Sequence, residues 1–202
     1  FLDNLAPQIL ATIPVCCNST QQVANHGFTK ENVTINVCDD HSIQSLEINS
    51  SPVVLSTLPI TLSTEGKHVI TATDTAGNVA TLNFTIDKTA PQYTLATDES
   101  SPQTIVPQTL VSYKKPVILT ILENNLAVMA SKNGLAVPGF PSTFVSNDTF
   151  TFMDDGYYLV KLTDLAGNCV LLTWKIDANG LSFGLDSRDV AYDIKSDTTT
   201  PW

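Results

Sequence analysis

Hydrophobic and polar residues alternate along several short runs of this chain, and the clearest runs occur in pairs around a repeated turn. The turn reads Asp74-Thr-Ala-Gly-Asn78 in one copy and Asp164-Leu-Ala-Gly-Asn168 in the other, ninety positions further on. Alternation with a period of two predicts β-strands with one buried face, and a Gly-containing turn between two such runs predicts a hairpin. The pattern therefore predicts a duplicated β-hairpin.

The repeat extends beyond the hairpin and divides the chain into modules. Ala6-Pro-Gln8 recurs as Ala90-Pro-Gln92, and residues 30–39 align with 114–123, both at an offset of 84 residues. Repetition at such a period indicates tandem units, each large enough to bury its own core. We predict a first module over residues 1–88 and a second over 89–178.

The two ends of the chain carry traces of further modules. Residues 1–8 resemble residues 85–92, which predicts that residues 1–3 end a preceding module and that the chain is a piece of a longer array. The corresponding junction after Ile176 lacks the Ala-Pro pair. Residues 179–202 are predicted to be a linker, the start of a further module, or a strand donated to a neighbour.

Each module is predicted to be an antiparallel β-sandwich of short strands. Strands are expected after each Ala-Pro pair, near residues 33–37 and 117–121, near residues 43–48, and on both sides of the turn. The second module has about six extra residues, which predict an enlarged loop over 124–154. In the strand before the turn, the expected inner residues are Val69 and Ala72, or Tyr158, Val160 and Leu162, with Lys161 and Thr163 outside.

Composition and charge exclude several classes of function. Twenty acidic and ten basic residues give a net charge of −10, whereas a nucleic-acid-binding surface needs clustered Lys or Arg. No stretch approaches the ~18 apolar residues of a membrane-spanning helix. The chain starts at Phe1 without a basic leader, so we expect a processed or excised piece of an exported protein.

The motifs around the turn resemble the bacterial Ig-like repeats of cell-surface proteins. Those repeats close with Thr-Asp-Xaa-Ala-Gly-Asn and Phe-Thr-Ile-Asp-Xaa-Thr-Ala-Pro, which appear here at residues 73–78 and 84–91. The second module departs from the pattern, with Trp174 and Lys175 in place of Phe-Thr. The resemblance covers residues 3–178 and implies two tandem immunoglobulin-like sandwiches, an extracellular or cell-surface location and a structural role.

The four cysteines permit two arrangements. In a sandwich, Cys16 and Cys17 follow the first strand and are expected to lie towards the second module, which Cys169 faces from the start of its last strand. We predict a disulfide between Cys16 or Cys17 and Cys169 across the junction. The alternative joins Cys38 to Cys16 or Cys17 and leaves Cys169 as a buried apolar thiol.

Five Asn-Xaa-Ser/Thr triplets are candidate glycosylation sites, and chance is an equally good explanation in a chain this rich in Ser, Thr and Asn. Together with the cysteines they favour an exported protein. The triplets begin at Asn18, Asn32, Asn49, Asn83 and Asn147.

Calcium binding is an alternative role for the acidic residues of the turns and of the junction. Asp74 and Asp164 are predicted mainly to accept backbone hydrogen bonds, because one Asp and one Asn fall short of the 6–8 oxygens that calcium takes. Asp87 is the candidate calcium ligand at the junction. The acidic side chains that could join it in a cation site are Asp39, Asp40, Asp98 and Glu99.

No catalytic residues are predicted. Asp40-His-Ser42 contains the residue types of a serine nucleophile, but consecutive residues in an extended segment point in different directions. His26, His41 and His68 lack the spacing of a zinc enzyme. Asp154-Asp155 precedes Gly156 and is predicted to be a polar turn rather than a glycosidase pair.

The sequence thus favours non-catalytic spacer modules that project a functional head and contact neighbouring Ig-like modules. The first alternative is an adhesin-type module that binds a host or cell-surface protein or glycan. Its ligand would meet an aromatic platform on the 124–154 loop, made of Phe140 and Phe144 with Phe150 and Phe152, although core packing also explains at least some of these phenylalanines. The second alternative is a filament subunit, in which residues 181–202 or the first residues complete a neighbouring sheet.

Overall fold

The structure, a computed structural model, describes residues 3–15, 19–97, 112–140 and 143–178. These residues form β-strands joined by turns, with one short 3-10 helix at Leu55–Thr57. The strands make four sheets, which pair across two hydrophobic cores. The predicted fold class, an all-β chain of two tandem immunoglobulin-like antiparallel β-sandwiches, is confirmed.

The first sandwich consists of a sheet in the order β2-β1-β4-β7 and a sheet in the order β3-β9-β8-β5-β6. Its second sheet carries the first copy of the repeated hairpin, β8 and β9. The strands are β1 Gln8–Val15, β2 Ser19–Gln22, β3 Gly27–Thr29, β4 Val33–Cys38, β5 Ile43–Ile48, β6 Ser51–Pro52, β7 Ile60–Leu62, β8 Gly66–Asp74 and β9 Val79–Ile86.

The second sandwich repeats this plan with a sheet β10-β12-β16 and a sheet β11-β18-β17-β13-β14, in which β15 also pairs with β13. The second copy of the hairpin is β17 and β18. The strands are β10 Tyr93–Thr97, β11 Ser112–Tyr113, β12 Val117–Ile121, β13 Leu126–Lys132, β14 Leu135–Ala136, β15 Thr143–Phe144, β16 Thr149–Phe152, β17 Gly156–Thr163 and β18 Cys169–Ile176.

Parallel pairing closes one edge of each hairpin sheet. β3 runs parallel to β9, and β11 runs parallel to β18. The sequence gives no signal for these strands, because β3 and β11 are three and two residues long. Alternation cannot be recognised over so few residues. The antiparallel hairpins β8–β9 and β17–β18 are present as predicted.

The two cores contain separate sets of buried side chains. The first holds Ala11, Val23, Val33, Ile35, Leu46, Ile70, Ala72, Phe84 and Ile86. The second holds Leu95, Val117, Leu119, Ile121, Leu126, Val128, Phe144, Phe152, Tyr158, Val160, Leu162, Leu172, Trp174 and Ile176. Each sandwich therefore has a hydrophobic centre drawn from its own stretch of chain.

One predicted inner face needs correction. In β17 the inner positions are Tyr158, Val160 and Leu162, as expected. In β8 the buried residues are His68, Ile70, Ala72 and Asp74, so Val69 lies on the other face. The prediction failed because an inner position carries a polar side chain: His68 stacks on Phe84 at 5.4 Å and its Nε2 lies 2.8 Å from the carbonyl oxygen of Thr64.

The segment 124–154 is about half strand, whereas its glycines and prolines predicted one enlarged loop. It contains β13, β14, β15 and β16, with a tight turn at Asn133 and Gly134, both at positive φ. In the connection after β14, the backbone N–H of Val137 donates to the carbonyl oxygen of Ala130 at 3.2 Å. Among the described residues, no helix is long and apolar enough to cross a membrane.

Candidate functional site at the junction of the two sandwiches

The repeated turn is held together by its aspartate. Asp74 Oδ1 accepts the backbone N–H groups of Ala76 and Asn78 at 2.8 and 2.9 Å, and Oδ2 accepts the side-chain amide of Asn78 at 2.8 Å. In the second copy, Asp164 accepts the backbone and side-chain N–H groups of Asn168, both at 2.8 Å. The predicted turn-capping role is what the geometry shows, since the carboxylate oxygens are occupied by donors.

Glycine is required in this turn for a conformational reason. Gly77 has φ 92° and Gly167 has φ 85°, in the region that L side chains rarely adopt. Asn78 and Asn168, in contrast, do not have a positive φ. The role that the two copies share lies in the side-chain amide.

The environment of Asp74 favours its ionised form. Burial alone raises the pKa of this carboxyl, but the hydrogen bonds from the Asn78 side chain and from the backbone of Asn78, Ala76 and Gly77 outweigh it. The pKa of Asp74 therefore lies below its ordinary value of 3.8. The side chain is completely buried, so the turn holds a carboxylate inside the protein.

The asparagine of each turn also reaches out of the turn to the chain segment that enters its sandwich. Asn168 donates its side-chain amide to the carbonyl oxygen of Asp87 at 2.8 Å, across 81 residues of sequence. Asn78 makes the equivalent bond to the carbonyl oxygen of Asp3 at 3.3 Å. Because Asp87 directly follows β9, the bond from Asn168 joins the last strand of the first sandwich to a turn of the second.

A lysine makes a second contact across the junction. Lys30 lies in the turn between β3 and β4, and its Nζ donates to the carbonyl oxygen of Gly167 at 3.2 Å. The same turn of the second sandwich is thus contacted by two separate parts of the first. Asp87 itself is held to the first sandwich by its N–H, which donates to the carbonyl oxygen of Thr29 at 2.9 Å.

The linker between the sandwiches is hydrogen-bonded on both sides. Lys88 Nζ donates to Asn32 Oδ1 at 2.8 Å and to the carbonyl oxygen of Ser63 at 2.7 Å, and Glu65 accepts the backbone N–H of Lys88. At the other end, Gln92 donates its N–H to Glu123 Oε2 at 3.0 Å. Pro91, which fixes its own φ, is buried between these contacts.

Asp87 is placed by this geometry as part of the linker. Its Oδ1 accepts the backbone N–H of Thr89 at 3.0 Å, which closes a local turn. Its backbone carbonyl carries the contact to Asn168. The other residues named for a junction cation fall in two places: Asp39 and Asp40 lie at the far end of the first sandwich, whereas Asp98 and Glu99 lie outside the described residues.

The predicted aromatic platform is part of the core of the second sandwich. Phe144 is 3% exposed, and Phe140 is partly buried against it with ring centroids 5.5 Å apart. Phe140 also contacts Phe150 at 4.6 Å and Phe152 at 5.8 Å. The structure therefore corrects this prediction, because these rings pack on one another instead of presenting a surface.

An exposed apolar face that the prediction missed lies on the outside of the second sandwich. Met129, Lys161 and Leu171 are aligned across β13, β17 and β18, with Leu159 beside them. Met129 is 71% exposed, and Leu159 and Leu171 are 41% and 43% exposed. We call these four residues the outer apolar face. Its signal in the sequence is the unbroken hydrophobic run from Val170 to Leu172, where a half-buried strand would alternate.

The described cysteines are free thiols. Cys38 and Cys169 are both exposed, so the alternative in which Cys169 is buried does not hold. Cys38 pairs with Gln8 at one end of β1, whereas Val15 pairs with Ser19 at the other end. Cys169 is a free thiol in this structure, which does not support the predicted disulfide to Cys16 or Cys17, and those two cysteines lie outside the described residues.

The sequons occupy different settings. Asn32 and Asn147 are exposed, and Asn83 is half-buried in β9. Asn49 is exposed at its turn, but its Oδ1 accepts the N–H of Val69 at 2.8 Å. Asn18 lies outside the described residues, and glycosylation at any of the five stays a prediction.

The residues considered for catalysis are separated or have structural partners. His41 Nδ1 lies 3.0 Å from Asp40 Oδ1, while the backbone carbonyl of Ser42 accepts a hydrogen bond from Thr75. His68 is buried, and His26 is exposed in a turn with φ 61°. Asp154 binds Lys132 at 2.9 Å and its carbonyl oxygen accepts the hydroxyl of Tyr158 at 2.8 Å, as suits a polar turn.

Comparison with known proteins gives no family. No family model matches the chain, and neither does a curated protein. Fibronectin(III)-like modules of Clostridium thermocellum CbhA are similar at 12% identity over 83% of this chain and 93% of theirs, with a TM-score of 0.33. The Bacteroides ovatus glucan-utilisation protein SGBP-B, solved with a mixed-linkage heptasaccharide, is similar at 19% identity over 87% of this chain and 48% of its own, with a TM-score of 0.25. Neither score is high enough to support an inference about function.

Proposed function

We propose that the two sandwiches are bacterial Ig-like spacer modules of an extracellular surface protein, which hold a functional head at a set distance from its anchor. The bond from Asn168 to the carbonyl oxygen of Asp87 is the observation that carries this proposal. If the duplicated motif only stabilised its own turn, no contact with the neighbouring module would be expected. Here the motif that marks the repeat also makes the contact between repeats.

The length and the stiffness of such a unit follow from its strands and its linker. The nine residues of β8, at ~3.3 Å each, span about 30 Å. A linker bonded to Asn32 and Ser63 on one side and to Glu123 on the other loses the freedom that an unbonded linker would have. Modules joined in this way add their lengths along an array.

Removing the contacts across the junction is expected to free the two sandwiches from each other. The double variant Asn168→Ala with Lys30→Ala removes both hydrogen bonds between the first sandwich and the repeated turn of the second. This loss costs about 1–2 kcal/mol of junction stability. Residual dipolar couplings of the unsubstituted chain are expected to fit one alignment tensor for both sandwiches. In the double variant, the two sandwiches are expected to need different tensors, while each keeps its own fold.

The matched control is Asn78→Ala, which removes the same bonds within the turn but leaves the junction intact. It is expected to preserve a single alignment tensor. The spacer proposal fails if the unsubstituted chain already shows two independent tensors, because a freely jointed pair cannot hold a set distance.

The outer apolar face favours a second candidate function, head-to-tail assembly of copies of this chain. The positions corresponding to Met129, Lys161 and Leu171 in the first sandwich are Glu47, Thr71 and Thr81, which are also aligned across three strands. Only the second sandwich therefore presents apolar side chains there. Lys161 at the centre disfavours pairing of the face with itself and favours an acidic surface, which a chain of net charge −10 offers on its neighbour.

Self-association is expected to depend on the outer apolar face. Sedimentation velocity over a series of concentrations would show the weight-average sedimentation coefficient rising for the unsubstituted chain and staying constant for Leu159→Thr with Leu171→Thr. The control is Thr71→Ser on the corresponding polar face. A chain that remains monomeric at every concentration excludes this second function and leaves the spacer proposal untouched.

A further inference from the structure

Four potential metal ligands meet at the end of the first sandwich that lies away from the second. Asp3, Asp39, Asp40 and His41 each offer one ligand atom, and these atoms all lie within 4.8 Å of one another. Asp3 comes from the segment that enters β1, and the other three come from the turn between β4 and β5. Two separate pieces of chain thus converge on one point.

Asp3 distinguishes this group from an ordinary acidic surface, because its side chain is buried. Its side chain is only 6% exposed. Oδ1 accepts the N–H of Leu5 at 3.0 Å, whereas Oδ2 is buried and makes no hydrogen bond among the described residues. A buried carboxylate oxygen without a donor is costly, so this atom calls for a partner of positive charge.

His41 does not fully supply that partner. Its Nδ1 lies 3.1 Å from Asp3 Oδ2 and 3.0 Å from Asp40 Oδ1, and one ring nitrogen carries at most one hydrogen. Three carboxylates and one imidazole keep a net charge of −2 even when the imidazole is protonated. Among the described residues, the lysines that form ion pairs bind Asp154 and Asp177 instead.

The distances from His41 Nδ1 suit a small cation placed between this nitrogen and the carboxylate oxygens of Asp3 and Asp40. Ligands at about 2.0–2.2 Å from a metal ion are separated by roughly 3.0–3.4 Å from their neighbours in octahedral or tetrahedral geometry. The separations of 3.0 and 3.1 Å from His41 Nδ1 to the two carboxylate oxygens lie in that range. A set with one imidazole nitrogen and several carboxylate oxygens favours Zn²⁺ over Ca²⁺, which prefers oxygen alone.

We propose that Asp3, Asp40 and His41, with Asp39 beside them, bind a divalent transition-metal cation of the Zn²⁺ class. The cation ties the segment entering the first sandwich to the turn between β4 and β5. Asp39 also positions this turn, since its Oδ1 accepts the N–H of His41 at 2.8 Å.

The second sandwich provides an internal comparison. Asp87 repeats the geometry of Asp3: its Oδ1 accepts the N–H two residues later, and its carbonyl oxygen accepts the turn asparagine. However, the residues that correspond to Asp40 and His41 at the offset of 84 are Asn124 and Asn125. The backbone arrangement is thus repeated, but the ligand set is present only in the first sandwich.

Zinc binding is measured on the full chain after its thiols are alkylated and metal is removed by chelation, so that cysteine cannot contribute. Isothermal titration calorimetry is expected to show one Zn²⁺ site and much weaker binding of Ca²⁺. Asp3→Asn and His41→Asn are each expected to weaken Zn²⁺ binding by at least about tenfold. Asp87→Asn and His26→Asn are the matched controls and are expected to leave it unchanged.

The imidazole of His41 provides a direct readout that does not depend on how well a variant folds. Long-range ¹H–¹⁵N spectra of the unsubstituted chain are expected to show Zn²⁺ on Nδ1 of His41 and a proton on Nε2. The proposal is overturned if Zn²⁺ leaves the ¹⁵N shifts of His41 unchanged, or if Ca²⁺ binds more tightly than Zn²⁺. Equal loss of Zn²⁺ binding in His26→Asn would overturn it as well.

Discussion

Phe152→Ala is expected to lower the free energy of unfolding of the second sandwich by about 3–5 kcal/mol and to leave the first sandwich unchanged. Phe152 is 2% exposed and lies at the centre of an aromatic cluster, with ring centroids 4.8 Å from Phe150, 5.0 Å from Tyr158 and 4.9 Å from Trp174. Truncation to alanine leaves a cavity among rigid rings that cannot collapse to fill it. The loss is large compared with the stability of a typical domain.

Native-state hydrogen exchange measures this effect separately in each sandwich. The amides of β8 report on the first sandwich and those of β17 on the second. Phe84→Ala, in the first core, is the matched variant, since Phe84 is 1% exposed and stacks on His68. It is expected to destabilise β8 and to spare β17. Parallel loss in both strands, in either variant, would show that the sandwiches unfold as one unit and that the array is not modular.

The sequence predicts the fold well because the fold depends on alternation and turn chemistry, which are local. Both hairpins around the repeated turn follow from a period of two and from a glycine at positive φ. The parallel strands β3 and β11 could not be predicted, because their pairing joins residues far apart in sequence and each strand is too short to show a pattern. The inner face of β8 was also predicted wrongly, because a polar residue at an inner position, His68, hides which alternate residues of the strand are buried.

The candidate site was harder to predict, because its contacts are between one module and the next. The sequence explains the bonds of Asn168 to its own Asp164 by turn chemistry, but nothing local indicates the bond to Asp87. The aromatic prediction failed for a related reason. Composition cannot tell an exposed phenylalanine from a buried one, and Phe144 proved to be buried.

The repeated turn therefore has two functions in the same five residues, and its asparagine takes part in both. Its aspartate stabilises the turn, and its asparagine connects the turn to the incoming chain. This division explains why both residues recur although they occupy ordinary backbone conformations. It also means that substitution of the aspartate tests stability, whereas the junction is tested through Asn168.

Asp74→Asn is expected to destabilise the first sandwich at neutral pH, because it removes a buried charge that accepts three hydrogen bonds. The effect depends on pH. The pKa of Asp74 is lower in the folded chain than its ordinary value of 3.8, so ionised Asp74 contributes stability above that value. This contribution is lost as the pH falls through the lowered pKa of the folded state.

Denaturant titrations at a series of pH values, followed by hydrogen exchange in β8, measure the difference between the unsubstituted chain and Asp74→Asn. The difference in the free energy of unfolding is expected to be constant above the ordinary pKa of Asp74 and to shrink below it. Protonation neutralises Asp74 in the unsubstituted chain, which then resembles the uncharged variant. Glu47→Gln, which neutralises an exposed carboxylate on β5, is the control and is expected to change stability little at any pH. A difference that persists undiminished into strong acid would show that the shape of the side chain, and not its charge, holds the turn closed.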